Sequence, residues 1–239
     1  MSKKWYQIEN KGEKAEVWIY EQIGEDFWSG DGVTAKKFQK ELAAVKASQI
    51  DLHINSPGGS VFDGLTIYNL LKQHPATVTT YIDGLAASIA SVIALAGDRV
   101  IMADNALFMI HQPSGAVVGT ASDMRDFADT LDKVSGAMLT TYTGKTGREE
   151  EEITGWLDAE TWFSAAEALD YGFIDEVAGQ VDMAACAKFV PSLREAGIKK
   201  IPAEITGAKE THTAREIERI LRDGGVSSGQ RVPAPGRSA

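Results

Sequence analysis

Apolar residues follow two alternating spacings along the first three quarters of the chain. Short β-branched runs are typical of strands, and apolar residues every three or four positions are typical of helices. The two patterns follow one another between residues 15 and 178, which predicts an α/β fold with crossover connections. The predicted strands are Ala15–Glu21, Ile50–Ile54, Ala76–Ile82, Arg99–Ala103 and Leu107–Ile110, and the predicted helices are Val33–Ala47, Ser60–Gln73, Ala86–Ala96 and Ala121–Tyr142.

The pattern weakens after Val177, and residues 181–202 only weakly indicate a further strand and helix. A short amphipathic helix is predicted over Thr213–Asp223, and the Gly/Ser/Pro-rich residues from 225 onward are typical of a flexible tail. We therefore expect three parts: an N-terminal segment (1–14), a main domain (15–180) and a C-terminal appendage (181–239) outside the main core.

Composition narrows the range of functions. The 239 residues carry a formal net charge of −10, which disfavours nucleic-acid binding because phosphate contacts need clustered Lys and Arg. The single cysteine, Cys186, excludes an internal disulfide. The N-terminal residues have no apolar signal region, and the longest apolar stretch (85–96) is shorter than the roughly 20 residues that a membrane span needs. We expect a cytoplasmic protein with no metal, cofactor or membrane partner.

Three short segments, each at the end of a predicted strand, carry residue types suited to nucleophilic catalysis. Gly58-Gly59 lets backbone N–H groups approach an oxyanion, although a glycine pair alone more often marks a tight turn. Ser88 follows a glycine turn and begins an apolar helix, as in a nucleophile elbow; a small residue for close packing is the alternative. His111 directly follows a strand, where a general base can reach across a cleft. The three together point to a serine hydrolase.

In order and spacing, these segments resemble the signature blocks of the proteolytic subunit of the Clp protease. The resemblance covers roughly residues 15–178, and it implies a crotonase-like α/β fold with repeated β-β-α units and a protruding long helix. It also implies a serine endopeptidase with a Ser–His–Asp triad and homo-oligomeric rings whose active sites face a chamber. The matching blocks are Asn55-Ser56-Pro57-Gly58-Gly59, Gly84-Leu85-Ala86-Ala87-Ser88, Met109-Ile110-His111-Gln112-Pro113 and the closing segment Glu167–Asp175.

The resemblance also implies the roles of the site residues. Ser88 corresponds to the nucleophile and His111 to the general base, and the N–H groups of Gly59 and Ile89 correspond to the oxyanion hole. The glycine-containing segment 114–119 would flank a substrate held as an extended strand.

The third triad residue departs from the family pattern. A placement without gaps puts Trp156 where the family has an aspartate, and an indole cannot orient an imidazole. Asp158, two residues on, is the first candidate, because a short carboxylate near the end of the preceding helix needs only a small local shift. Glu160 is the second candidate. An exposed acidic loop residue is the alternative for either.

The residues near the C-terminus bear on which kind of Clp-related protease this chain is. Arg215–Gly225 resembles the arginine-rich segment of the Clp-related head maturation (prohead) proteases of tailed phages. We therefore expect an ATP-independent endopeptidase that cleaves scaffold or capsid segments, and we expect it to keep its peptidase activity when the residues after about 182 are deleted. A bacterial Clp-like subunit working with an ATPase is the alternative. The Trp156 mismatch also leaves open a catalytically weak oligomeric scaffold, whereas an acyl-CoA hydratase of the same fold type is disfavoured by the peptidase-like motifs.

Overall fold

A largely parallel β-sheet forms the centre of the computed structural model, which describes residues 5–25, 32–179 and 183–206. The strands are β1 Tyr6–Lys11, β2 Lys14–Ile19, β3 Gly24–Glu25, β4 Gly32–Val33, β5 Gln49–Ser56, β6 Thr77–Ala87, β7 Arg99–Ala103, β8 Leu107–Ile110, β9 Thr161–Ser164 and β10 Glu176–Ala178. The helices are α1 Ala35–Leu42, α2 Val61–Gln73, α3 Ile89–Ala94, α4 Ala121–Thr146, α5 Glu150–Ala159, α6 Ala165–Asp170, α7 Val190–Glu195 and α8 Ala203–Thr206, with a 3-10 helix over Met183–Phe189.

The order of strands explains the alternating sequence pattern. The sheet runs β1-β2-β5-β6-β7-β10. Strand β1 is antiparallel to β2, and the pairs from β2 to β10 are parallel. Helices α1, α2 and α3 lie in the connections between successive parallel strands, because parallel neighbours need a crossover between them. The predicted α/β fold class is confirmed.

Strand β6 spans two parts of the sheet and leads directly to Ser88. Its residues Thr79–Ile82 pair with β7, and its last residues Leu85–Ala87 pair with β8, which in turn pairs antiparallel with β9. The predicted helix Ala86–Ala96 was wrong at its start, because Ala86 and Ala87 take part in the β6–β8 ladder and the helix begins at Ile89. Ladder pairing outweighs the intrinsic helix propensity of alanine here.

The buried apolar residues form two clusters. The larger one fills the space between the sheet and the helices and includes Phe38, Leu52 and Ile89. The smaller one combines residues of β6 and β8 with the C-terminal residues: Leu85, Ala87, Met109, Cys186, Phe189, Leu193, Ile198 and Ile205. Within the described residues, no helix is both long and apolar enough to span a membrane.

Packing contacts extend beyond both ends of the main domain expected over 15–180. Strand β1 forms a hairpin with β2 around Gly12, whose φ is +75°, and so joins the main sheet. Residues 183–206 pack against the sheet through the smaller cluster and belong to the main compact unit. The predicted helix 213–223 and the tail lie outside the described residues.

Helix α4 is the long helix that the resemblance implies. It begins at a capping box between Thr120 and Asp123 and ends at Gly147, which is left-handed with φ +67°. Its buried residues, Val134, Met138 and Tyr142, all lie in its second half. Met124 in the first half is 50% exposed, so that half extends away from the body as expected.

Candidate active site

Ser88 occupies the sharp turn between β6 and α3. Its φ is positive, at 56° with ψ −133°, a conformation that costs a non-glycine residue on the order of 1–3 kcal/mol. Two contacts hold the turn: Ser88 N–H donates to the Met109 carbonyl at 3.0 Å, and Ser91 Oγ donates to the Ser88 carbonyl at 2.6 Å. The strain is retained because neighbouring elements fix the turn.

Ser91 connects the Ser88 turn to helix α4. Because its hydroxyl proton is used toward the Ser88 carbonyl, the buried Tyr142 O–H is the donor in the 2.7 Å bond to Ser91 Oγ. Burial raises the pKa of Tyr142, so the phenol stays protonated and able to donate. Helix α4 is thereby tied to the first turn of α3.

His111 meets Ser88 at the end of the β6–β8 ladder. It directly follows β8, and its Nε2 lies 2.8 Å from Ser88 Oγ. The imidazole is 6% exposed, and burial lowers its pKa below the ordinary value, an effect opposed by the negative charge of Glu160. A neutral imidazole with its proton on Nδ1 accepts the Ser88 hydroxyl proton at Nε2, which is the arrangement of a nucleophile with its general base.

The two candidate acids stand in different surroundings. Asp158 Oδ1 accepts a 2.8 Å bond from Gln112 Nε2, and Gln112 Oε1 accepts one from Ser135 Oγ on α4. Glu160 ends α5 in the left-handed region with φ 53°, and its Oε2 accepts a 3.0 Å bond from Lys199 N–H. Among the described residues, neither carboxylate hydrogen-bonds to His111, but the charge of Glu160 acts on it.

Trp156 has a packing role. Its ring lies against those of Phe163, Tyr171 and Phe173 at centroid distances of 5.3, 4.8 and 5.9 Å. The Arg148 guanidinium also lies over the indole, 5.6 Å from the ring centroid. The indole thus belongs to an aromatic cluster of the core, and an acid for His111 has to come from another position.

The glycine pair reaches the nucleophile turn. Gly58 and Gly59 have φ of +96° and +140°, and a Cβ on Gly58 would stand 2.7 Å from Ser88 Cβ and 3.2 Å from Ile89 N. Among the described residues the Gly59 N–H has no hydrogen-bond partner, and Ile89 N–H belongs to the first turn of α3, which lacks intrahelical acceptors. Both amides are available to a developing oxyanion.

A cavity of about 500 Å³ opens beside Ser88 and His111. Its lining includes the glycine pair and the Pro113–Ala116 segment, part of the stretch expected to flank a substrate. It also includes four residues that were not among the expected site residues: Ser192, Glu195, Ala196 and Gly197. In the sequence, the apolar residues Phe189, Leu193 and Ile198 were the only indication that this part of the chain packs against the core. Within the described residues no three metal-ligating side chains cluster.

A strained serine in contact with a buried histidine, with backbone amides beside it, defines a serine hydrolase on an α/β fold. Residues 5–181 match the Clp protease family model, and the chain belongs to that family. It is therefore a serine endopeptidase.

Relatives and solved structures agree with this assignment. The chain is 42% identical over 153 residues to the ATP-dependent Clp protease proteolytic subunit 2 of Thermobifida fusca, covering 62% of this chain and 75% of the relative. It is 38% identical over 139 residues to subunit 1 of Mycobacterium tuberculosis, covering 57% and 70%. A point mutant of ClpP1 from Listeria monocytogenes superposes with a TM-score of 0.60 at 28% identity, covering 69% and 91%. These relatives are bacterial subunits, and the phage assignment gains no support from them.

Proposed function

We propose that this chain is the proteolytic subunit of a Clp-type protease that assembles into homo-oligomeric rings and degrades polypeptides delivered by an ATPase. The observation that carries the proposal is the 2.8 Å contact between Ser88 Oγ and His111 Nε2 at a strained turn. The ATPase follows from the relatives, which are named as subunits of ATP-dependent proteases.

The proposed reaction uses only groups of the site. His111 Nε2 takes the Ser88 proton while Oγ attacks the scissile carbonyl carbon, and the N–H groups of Gly59 and Ile89 hold the oxyanion. The tetrahedral intermediate collapses, the C–N bond breaks, and His111 returns the proton to the leaving amine. Water then attacks the acyl-enzyme with His111 again as base, which releases the acid and regenerates Ser88.

Ring formation is supported by apolar side chains exposed to solvent. Val118 is fully exposed, and Met124 at the start of α4 and Phe62 on α2 are 50% and 67% exposed. Large exposed apolar residues near an extended helix are what a contact between copies would cover.

The test is an assay with two substrates and one control variant. We expect the purified wild-type chain to cleave a short fluorogenic peptide without nucleotide, and to degrade a folded protein only with a bacterial Clp ATPase and ATP. The Ser88→Ala variant is expected to do neither, and native mass spectrometry should show a multiple of the subunit mass for both. Absence of peptide cleavage by an assembled wild-type protein would contradict the proposal.

An unfolded protein such as casein, added to the same assay, examines the head maturation hypothesis, which rests only on the resemblance of Arg215–Gly225. Equal cleavage of casein with and without the ATPase would support ATP-independent action. Cleavage of casein that rises on addition of the ATPase would support the Clp-type subunit.

A further inference from the structure

Residues 183–206, which we call the C-terminal segment, pack directly against the catalytic strands. Within it, Phe189, Leu193 and Ile198 are 3, 0 and 3% exposed. The segment follows the region that matches the family model, which ends at residue 181. Family membership therefore says nothing about the segment, and its own contacts define its role.

The apolar contacts place the segment against the strands that carry the nucleophile and the base. Its buried residues share a cluster with Leu85 and Ala87, which precede Ser88 on β6, and with Met109, which precedes His111 on β8. Cys186 Sγ also lies 3.3 Å from Asn55 Oδ1, beside the glycine-pair loop. Loss of this cover would expose the apolar face of the two strands whose pairing sets the Ser88–His111 distance.

The polar contacts join the segment to two other parts of the molecule. Ser114 Oγ, in the stretch expected to flank a substrate, donates to the Ala196 carbonyl at 3.0 Å. At the end of α5, Lys199 N–H donates to Glu160 Oε2 at 3.0 Å, and Lys200 Nζ donates to the Ala159 carbonyl at 3.1 Å. The segment also lines the cavity, through residues 192 and 195–197.

We propose that the C-terminal segment is a structural part of the active site: it forms part of the wall of the substrate cleft and packs against the strands that carry Ser88 and His111. The inference rests on the proposed peptidase reaction. It reverses the expectation that deletion after about residue 182 leaves the activity intact.

The experiment that tests this proposal measures kcat/KM for a peptide in full-length variants of the C-terminal segment. Leu193→Ala opens the smaller cluster and is expected to lower kcat/KM about tenfold, whereas Arg194→Ala, an exposed neighbour on the same helix, should leave it unchanged. Circular dichroism confirms that each variant is folded. Unchanged kcat/KM in a folded Leu193→Ala protein would overturn the proposal that the C-terminal segment forms part of the cleft wall.

Two further outcomes are distinguishable. If the segment blocked the cleft instead of building it, Leu193→Ala would raise the activity, and this result would also overturn the inference. If the folded wild-type protein does not cleave the peptide, the proposed peptidase function is wrong, whatever the variants show.

Discussion

Ser88 holds a backbone conformation that few residues other than glycine adopt, and the surroundings show why it persists. The turn is fixed by the β6–β8 ladder on one side and by the Ser91–Tyr142 bond on the other. His111 is then placed by the same ladder, because it follows β8 as Ser88 follows β6. A single strand pairing therefore sets the geometry of nucleophile and base.

The pH dependence of the reaction follows from His111. Burial lowers its pKa below the ordinary value of about 6.5, and only the neutral imidazole accepts the Ser88 proton. We therefore expect kcat/KM for a peptide to stay constant from neutral pH down past 6.5 and to fall only at lower pH. A pH series of initial rates checks this. A half-maximal rate above pH 6.5 would mean that the base titrates in a different environment.

The sequence predicts that Ser88, His111 and the glycine pair come together at strand ends, and in the structure they do lie together. The third triad residue cannot be assigned in the same way: Asp158 and Glu160 both lie at the end of α5, and neither hydrogen-bonds to His111 among the described residues. The Glu160 carboxylate accepts from the Lys199 N–H, which comes from 39 residues further along the chain and leaves no local signal in the sequence. Asp158 and Glu160 both remain predictions.

At the scale of elements, the contact between α2 and α3 positions the oxyanion-binding amide. A Cβ on Gly64 of α2 would stand 2.1 Å from Ile89 Cγ1. Glycine at this position thus allows the first turn of α3, which includes the Ile89 N–H, to lie close against α2.

This contact reverses the usual effect of replacing a helical glycine. We expect Gly64→Ala to lower the free energy of unfolding by about 1–3 kcal/mol, because Ile89 has to shift, and to reduce kcat for a peptide. Gly155→Ala in α5 is the matched control: a Cβ there has nothing within 4 Å, so a gain of about 0.5–1 kcal/mol is expected. Urea denaturation measures both changes. A stabilised Gly64→Ala protein would contradict the tight packing.

Helices with a strong apolar period could be predicted from the sequence. Strands whose state depends on pairing with a distant strand could not. The period of apolar residues found α2 and most of α4. It misassigned Ala86 and Ala87, because their strand state depends on pairing with β8 about twenty residues later. Strand β1 was also missed, since its polar residues acquire a partner only through the hairpin with β2.

At the scale of the whole molecule, the catalytic residues lie between two apolar clusters. The larger cluster fixes α3 against the sheet, and the smaller one joins the C-terminal segment to the strands that carry Ser88 and His111. The segment is therefore part of the peptidase unit in this structure, where composition alone suggested an appendage. The apolar contacts of this arrangement extend beyond residue 181, where the family match ends.

The central claim is that Ser88 is an activated nucleophile. It is tested most directly by labelling the full-length protein with a fluorophosphonate and mapping the modified peptide by mass spectrometry, with Ser88→Ala and His111→Ala as controls. We predict a single label on Ser88 that is lost in both variants. A folded wild-type protein that takes no label, or takes it on another serine, would contradict the account.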